Sequence, residues 1–310
     1  MSFFGLGKVI LLGEHSVVYG YPALAAALDR GVRVGAVPTP AGGKLRVDIP
    51  SWNVKLTVDD DHPLASALTA IADKLEIGRP PVTIVGEAQI PPGAGLGASA
   101  AFAVAISRAL IDYRDQKIVA AGGAAMPATL GEVIAAANAS ETIVHGKASG
   151  VDVALAANGG IGVFRKTSGL RPIKAELRVI VGPSGAQRST HTMVERVSTA
   201  CNSSADDPRL KELGALTDHG TTSLLSGDHV ALGGAMDRAH ALLGELGVST
   251  PLLDGLCEAA RRVGAYGAKL TGAGGGGAVI AIAPREKEND VLAAWRAARV
   301  EGFVAKLGGG

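Results

Sequence analysis

The sequence predicts an α+β protein organised as about two domains. Its 310 residues fit that number at roughly 150 residues per domain. Short apolar runs that stop at glycine, or alternate in pairs, read as strands, and they are mixed along the chain with longer stretches of helical periodicity. The last third changes character, placing several helical stretches in succession before a strand, a glycine run and another strand.

Lys8 to Leu12 is a short apolar run ending at Gly13 and reads as a buried strand. Pro22 to Leu28 fits two readings: its alanines favour helix, whereas its length and the following Val32, Val34 and Val37 suit a strand. Residues 36–44 form a turn, after which Lys44 to Ile49 and Val54 to Val58 alternate as a hairpin does. Val82 to Val85 is a further strand. Ser99 to Tyr113 reads as a helix, and 121–128 as a loop. A second helix runs from about Leu130 to His145, closed by Gly146, and Ser149 opens a third, short one. A strand pair is expected around Gly162 to Phe164 and Leu177 to Val181. Helices follow near 208–225, 228–246 and 251–263, the last with Thr250 as cap and Pro251 as first residue. Tyr266 to Leu270 and Ala278 to Ala283 are strands around GAGGGG, and a helix near 287–299 and a strand near 302–307 complete the chain. The domain boundary is placed near residue 175, giving 1–175 and 176–310. No internal repeat is visible.

Composition excludes several classes. Lysine plus arginine is 30 and aspartate plus glutamate 29, a formal charge of +1, without the basic excess or basic block of a nucleic-acid binder. At 47% hydrophobic residues the chain can build a large core, which excludes disorder. The mean hydropathy of +0.26 is high, yet no uncharged apolar stretch reaches the roughly 18 residues needed to span a bilayer. Val9 to Leu12 is too short for a signal-peptide core. Cys201 and Cys257 stand alone, without the spacing of a disulfide scaffold or a zinc site. A soluble, cytoplasmic protein with no membrane or nucleic-acid partner is expected. Glycine is the outlier, with 43 residues against a usual level of about 7%. The glycines gather in short runs at the ends of apolar segments, where bare backbone can approach a ligand.

Three segments carry chemistry. In Lys8-Val-Ile-Leu-Leu-Gly13-Glu14-His15-Ser-Val-Val-Tyr19-Gly20 a strand delivers a charged pair at its end. In isolation this is a polar turn, and a lysine at a strand's start is equally ordinary. In Pro91-Pro92-Gly93-Ala94-Gly95-Leu96-Gly97-Ala98-Ser99 three glycines at alternate positions lead into a helix. Amides there and at the helix N-terminus can converge on an anion. Ser99 stands where its hydroxyl either caps the helix or reaches a metal. No GxxxxGK[ST] loop and no protein-kinase signature occurs. In the third segment, Lys269 to Gly277, the residues Gly272, Gly274 and Gly277 satisfy GxGxxG. A dinucleotide fingerprint must open a helix, whereas a strand-like run follows here, so the Rossmann reading is rejected. Two acids lie nearby in sequence. Glu141 falls near the end of the second helix, against the dipole. Asp152, three residues after Ser149, matches a capping box and so also reads as an ordinary helix start.

Together these residues resemble the GHMP kinase superfamily and, within it, the mevalonate kinase family. GKVILLGEHSVVYG, PPGAGLGASAA and KLTGAGGGGA are each close to that family's forms, as are Glu141-Thr-Ile-Val-His145-Gly146-Lys-Ala-Ser149-Gly150-Val-Asp152 and Arg188-Ser189-Thr190. The resemblance implies a two-domain fold, with an N-terminal domain like ribosomal protein S5 domain 2 and a ferredoxin-like C-terminal domain. It implies ATP and Mg²⁺ as cofactors, mevalonate as substrate and transfer to its C5 hydroxyl. It also implies roles. Pro92, Gly93, Ala94, Gly95, Leu96, Gly97, Ala98 and Ser99 wrap the ATP phosphates. Ser99 and Glu141 hold Mg²⁺, Asp152 takes the proton of the attacking hydroxyl, and Lys8 stabilises the developing charge. Glu14, His15 and Thr190 engage mevalonate, while Gly272, Gly274 and Gly275 support the phosphate loop. The family often forms homodimers. Two alternatives stay open: a related kinase for another small hydroxylated acid or sugar, as in galactokinases, and a non-catalytic ATP and metabolite sensor. The chain departs from the family pattern at Gly5-Leu6, which replaces Ala-Pro and predicts a looser entry to the first strand. It departs again at Ala98, where a serine is usual, and at Lys147-Ala148.

Overall fold

The computed structural model describes residues 1–40, 42–124, 128–145, 150–186 and 189–308. Two compact units emerge. The first comprises Met1–Gly7, Arg30–Pro92 and Gly97–Asn158, and the second Lys8–Asp29, Gly93–Leu96 and Gly159–Gly310. The units therefore interleave along the chain, and β1 (Phe3–Leu12) and β2 (Ala23–Pro38) each contribute residues to both. The segment that fitted helix or strand is strand. Pairing of Ala23–Ala26 with residues 161–164 overrides the helical preference of its alanines.

In the first unit β3 (Arg46–Ile49) and β4 (Val54–Thr57) form the expected hairpin, with Arg46 opposite Thr57 and Ile49 opposite Val54. Asn53 closes the turn at φ 53°, a left-handed conformation that asparagine tolerates. β5 (Val82–Ala88) runs antiparallel to the Val32–Pro38 half of β2 and parallel to β3. The helices of this unit are α1 (Pro63–Lys74), α2 (Ala98–Ala120), α3 (Leu130–His145) and α4 (Val151–Asn158). α1 was not anticipated. His62 caps it, Nδ1 accepting the Leu64 N–H at 3.1 Å, with Pro63 at the first position and Ala65, Leu68 and Ile71 buried along one face. Histidine is not among the residues usually read as caps.

α2 is apolar all round and buried on nearly every side through Ile111, as expected of a central helix. Gly5 lets it approach the first strand. A Cβ on Gly5 would lie 2.0 Å from the Ala101 carbonyl oxygen, and one on Gly31 would lie 1.9 Å from the carbonyl oxygen of Gly5. The Gly5-Leu6 departure thus gives close packing in an unbroken strand, where a looser entry was expected. Gly5→Ala is expected to cost about 1–3 kcal/mol, the penalty of overpacking against backbone that cannot yield. A urea titration measures it as a lower midpoint at unchanged slope.

In the second unit β6 (Ile161–Arg165) pairs with Ala23–Ala26 of β2 on one side and with β7 (Gly169–Ile173) on the other. β8 (Leu177–Pro183) belongs to a separate four-stranded antiparallel sheet with β9 (Gly267–Thr271), β10 (Ala278–Ile282) and β11 (Phe303–Leu307), ordered β11-β8-β10-β9. The segments around 162–164 and 177–181 are strands, but they do not pair with each other. β7, which went unread, takes the position beside β6. The helices are α5 (Thr190–Ala200), α6 (Pro208–Ser226), α7 (His229–Glu245), α8 (Pro251–Arg262) and α9 (Glu288–Ala297). Asp207, Asp228 and Thr250 cap α6, α7 and α8 by accepting the N–H of Arg209, Ala231 and Leu253. α5 has no side-chain cap hydrogen bond and buries only Met193 and Val197, so it escaped notice in the sequence. The sheet's core includes fully buried Trp295, whose Nε1–H donates to Leu256 O at 2.9 Å. The mixed α+β character is the one the sequence predicts.

Candidate active site

The end of β1 leads into a strained turn. Gly13, at φ 97°, has no room for a side chain: a Cβ would lie 2.4 Å from the Pro22 carbonyl oxygen. Next comes His15 at φ 60° and ψ −48°, with the Ser16 N–H donating back to Glu14 O at 2.6 Å. A two-residue hydrogen bond around a residue of positive φ and negative ψ is the rarer, strained form of γ-turn. Such strain persists only where surrounding contacts over-determine it.

Those contacts come from the β9–β10 region of the same unit. Lys269 and Glu14 form a fully buried ion pair, their side chains 0% and 1% exposed. The Lys269 ammonium also donates to Leu270 O at 2.6 Å. Two residues on, Thr271 Oγ1 accepts the Ile10 N–H and donates to Ile10 O, both at 3.0 Å. Alternate residues of β9 point the same way, so one face of this strand grips the end of β1 at two points. His15 Nε2 lies 2.9 Å from Ala273 O, and a carbonyl only accepts, so Nε2 carries the proton. Burial holds the imidazole below its usual range, and the Lys269 cation adds to this. The neutral ring keeps its Nδ1 lone pair as an acceptor. Glu14 Oε2 is buried and has no hydrogen-bond partner among the described residues. It is an acceptor suited to a hydroxyl or amide donor. The sequence alone assigns Lys269 no role. A charged residue inside an apolar strand was the available signal.

The two glycine loops lie against each other. Gly93, Gly95 and Gly97 adopt φ of 72°, 73° and 73°, and Ala94 and Leu96 are buried between them. The Lys8 N–H donates to Leu96 O at 2.8 Å, tying this loop to β1, and the Lys8 side chain is itself buried. A Cβ on Gly272 would sit 3.4 Å from Gly95 O, and one on Gly277 would sit 3.1 Å from Ala94 O. Gly274 has φ 78°, and a Cβ there would meet Val248 O at 2.2 Å, while the Gly275 N–H donates to the same oxygen at 2.7 Å. Glycine here satisfies both dihedral and space.

In the first unit the cap of α2 is Gly97, not Ser99. Ser99 is therefore the second residue of the helix, within its first turn, and does not occupy the cap position. Pro92 and Ala98 flank the loop. Glu141 is buried on α3, and Asp152 is half-buried in the first turn of α4. A hydroxyl and a carboxylate are the hard oxygen donors Mg²⁺ prefers, and a nucleotide-bound Mg²⁺ needs few from the protein. No cluster of three or more acidic, histidine or cysteine ligands occurs among the described residues. Thr190 is exposed in the first turn of α5, and none of the hydrogen bonds around Glu14 reaches it. Gly146, Lys147, Ala148, Ser149 and Arg188 lie outside the described residues.

One further polar cluster imitates a nucleophilic triad. His240 Nδ1 accepts the Leu270 N–H at 3.2 Å, its Nε2 lies 3.1 Å from Asp254 Oδ1, and Cys257 Sγ lies 3.9 Å from Nδ1. Burial pushes the Cys257 thiol up to about 12, so no thiolate forms near neutral pH. Cys257 is expected to resist iodoacetamide at pH 8 in the native protein and to react fully in denaturant. Mass spectrometry of the alkylated peptide checks this.

Comparison with known proteins places this arrangement. Profiles described as GHMP kinases N terminal domain and GHMP kinases C terminal match residues 63–160 and 221–301. A protein named mevalonate kinase from Thermococcus sibiricus is 34% identical over 324 residues, spanning 97% of this chain and 94% of that protein. The chain belongs to the mevalonate kinase family of GHMP kinases. A mevalonate kinase from Methanothermobacter thermautotrophicus is likewise 34% identical, with 97% of each chain covered. Among solved structures, L. major mevalonate kinase in complex with R-mevalonate superposes with a TM-score of 0.85 at 26% identity, covering 99% of this chain and 96% of that one. The Methanococcus jannaschii mevalonate kinase gives 0.82 at 26% identity, covering 100% and 98%. A Lactococcus lactis galactokinase, 18% identical with a TM-score of 0.76, shares the GHMP kinase fold. This member of the mevalonate kinase family has no helix, among its described residues, that is long and apolar enough to cross a membrane.

Proposed function

We propose that the chain transfers the γ-phosphoryl group of ATP to the C5 hydroxyl of mevalonate, giving 5-phosphomevalonate and ADP. The observation that carries this reading is identity of about one third to mevalonate kinases along nearly the whole chain. The polar turn at Glu14 and His15 adds to it, offering a buried carboxylate acceptor and a neutral imidazole to a small hydroxylated acid.

In this reading Asp152 accepts the proton of the C5 hydroxyl as that oxygen bonds to the γ-phosphorus. The bond to the ADP oxygen breaks and ADP leaves with its electron pair. Lys8 stabilises charge on the attacking oxygen and the phosphoryl oxygens. Amides of residues 93–97 and of the start of α2 hold the phosphates, with Gly272, Gly274 and Gly275 behind the loop. Mg²⁺, held by Ser99 and Glu141, would neutralise phosphate charge. Glu14, His15 and Thr190 engage mevalonate. We further propose functional domains of 1–175 and 176–310, a cytoplasmic location and a homodimer.

The test is ADP release with Mg·ATP over mevalonate, phosphomevalonate, galactose and homoserine. Turnover confined to mevalonate, with 5-phosphomevalonate as product, is expected. Turnover of galactose or homoserine instead would replace the substrate. ATP binding without turnover on any of the four would make the chain a sensor.

A further inference from the structure

We propose that Lys269 is a positioning residue, which acts through its ion pair with Glu14 to hold the strained turn that presents His15 to the substrate. The inference rests on the reading of this end of the molecule as the mevalonate site, and deepens it.

Three observations converge. The γ-turn at His15 is strained, and the contacts that oppose its relaxation come from one short stretch of chain. Lys269 reaches Glu14 on one side of the turn, Ala273 O takes the His15 Nε2–H on the other, and Thr271 fixes Ile10 upstream. A lysine inside a strand that is buried at all five positions is costly to desolvate, and an apolar residue of similar length would fill the same space. Packing alone therefore gives no reason for an ammonium there. Finally, the pair uses only Glu14 Oε1, leaving Oε2 as a buried acceptor. The lysine thus fixes the carboxylate's orientation as well as its charge. Lys269 itself is wholly enclosed and is not a catalytic residue.

The test uses the full chain with Lys269→Met, Lys269→Gln and the neutral pair Glu14→Gln with Lys269→Met. Hydrogen–deuterium exchange of the ligand-free protein is followed at residues 15–18, with β10 as internal reference. Steady-state kinetics give KM for mevalonate and for ATP separately. Lys269→Met is expected to speed exchange at 15–18 about tenfold with β10 unchanged. It should raise KM for mevalonate about 10-fold or more while KM for ATP stays within about twofold. Lys269→Gln keeps an N–H donor and should fall between. Should Lys269→Met fail to fold, exchange in the neutral pair decides, with the same expectation. Unchanged protection at 15–18 in a folded variant overturns the proposal. So does a loosened turn with wild-type KM for mevalonate, or a parallel rise in both KM values. If the wild-type chain does not turn over mevalonate, the substrate reading fails separately, and the exchange result still judges the positioning role.

Discussion

Asp152→Asn is expected to lose about 10²–10⁴-fold in turnover, the usual contribution of a positioned general base, while keeping its fold and its affinity for ATP. Asparagine has the shape of aspartate but cannot take a proton. Asp152 occupies the first turn of α4, where the helix dipole tolerates either a carboxylate or an amide. An amide there costs the helix only a few tenths of a kcal/mol to about 1 kcal/mol. A urea midpoint close to that of wild type is expected alongside, so that loss of kcat is read separately from unfolding. ADP release under saturating substrates, with a binding titration of a fluorescent ATP analogue, separates chemistry from nucleotide affinity. Turnover near that of wild type would remove Asp152 from the proton-accepting role.

Glu14→Ala is expected to destabilise the protein by about 3–5 kcal/mol, because it strands a buried ammonium with no carboxylate to answer it. Burial raises the Glu14 carboxyl above its ordinary 4.5 and lowers the Lys269 ammonium below its ordinary 10.5, with each partner opposing the shift of the other. A raised carboxyl contributes stability below its unfolded value and loses it as pH climbs through the folded one. A lowered ammonium contributes above its unfolded value and loses it as pH falls through the folded one. Across neutral pH both charges weigh against the fold. Replacing Glu14 and Lys269 together by Leu and Met should recover most of the stability lost by Glu14→Ala. Urea denaturation at pH 7 measures all three proteins. A single variant as stable as wild type would contradict the buried-pair account.

Local signals made much of the fold legible. The hairpin of β3 and β4 follows from alternation, and α6, α7 and α8 from their helical stretches with Thr250 as the cap of the last; the caps at Asp207 and Asp228 are findings of the structure. β2 stayed undecided because alanine favours helix in isolation, and only pairing settles the matter. β8 pairs with β10 and β11 and not with β6, because partner choice depends on residues far away in sequence. At the site, glycine spacing and the Gly13-Glu14-His15 run were visible as residue types. Their geometry was not. Lys269 meets Glu14 across 255 positions of chain, and the dihedrals of His15 have no signature in the residues beside it.

The interleaving of the two units has a consequence for synthesis on the ribosome. The first unit is complete in sequence once Asn158 has emerged, but residues 8–29 and 93–96, threaded between its parts, belong to a unit whose remainder starts at Gly159. At that stage Ala23–Ala26 has no β6 to pair with, and Glu14 awaits Lys269 in chain that does not yet exist. The nascent protein therefore carries an open strand edge until β6 has emerged, and a buried-type carboxylate in solvent until Lys269 is made. A partly made chain of this kind exposes the unpaired edge and unburied surface from which folding intermediates aggregate.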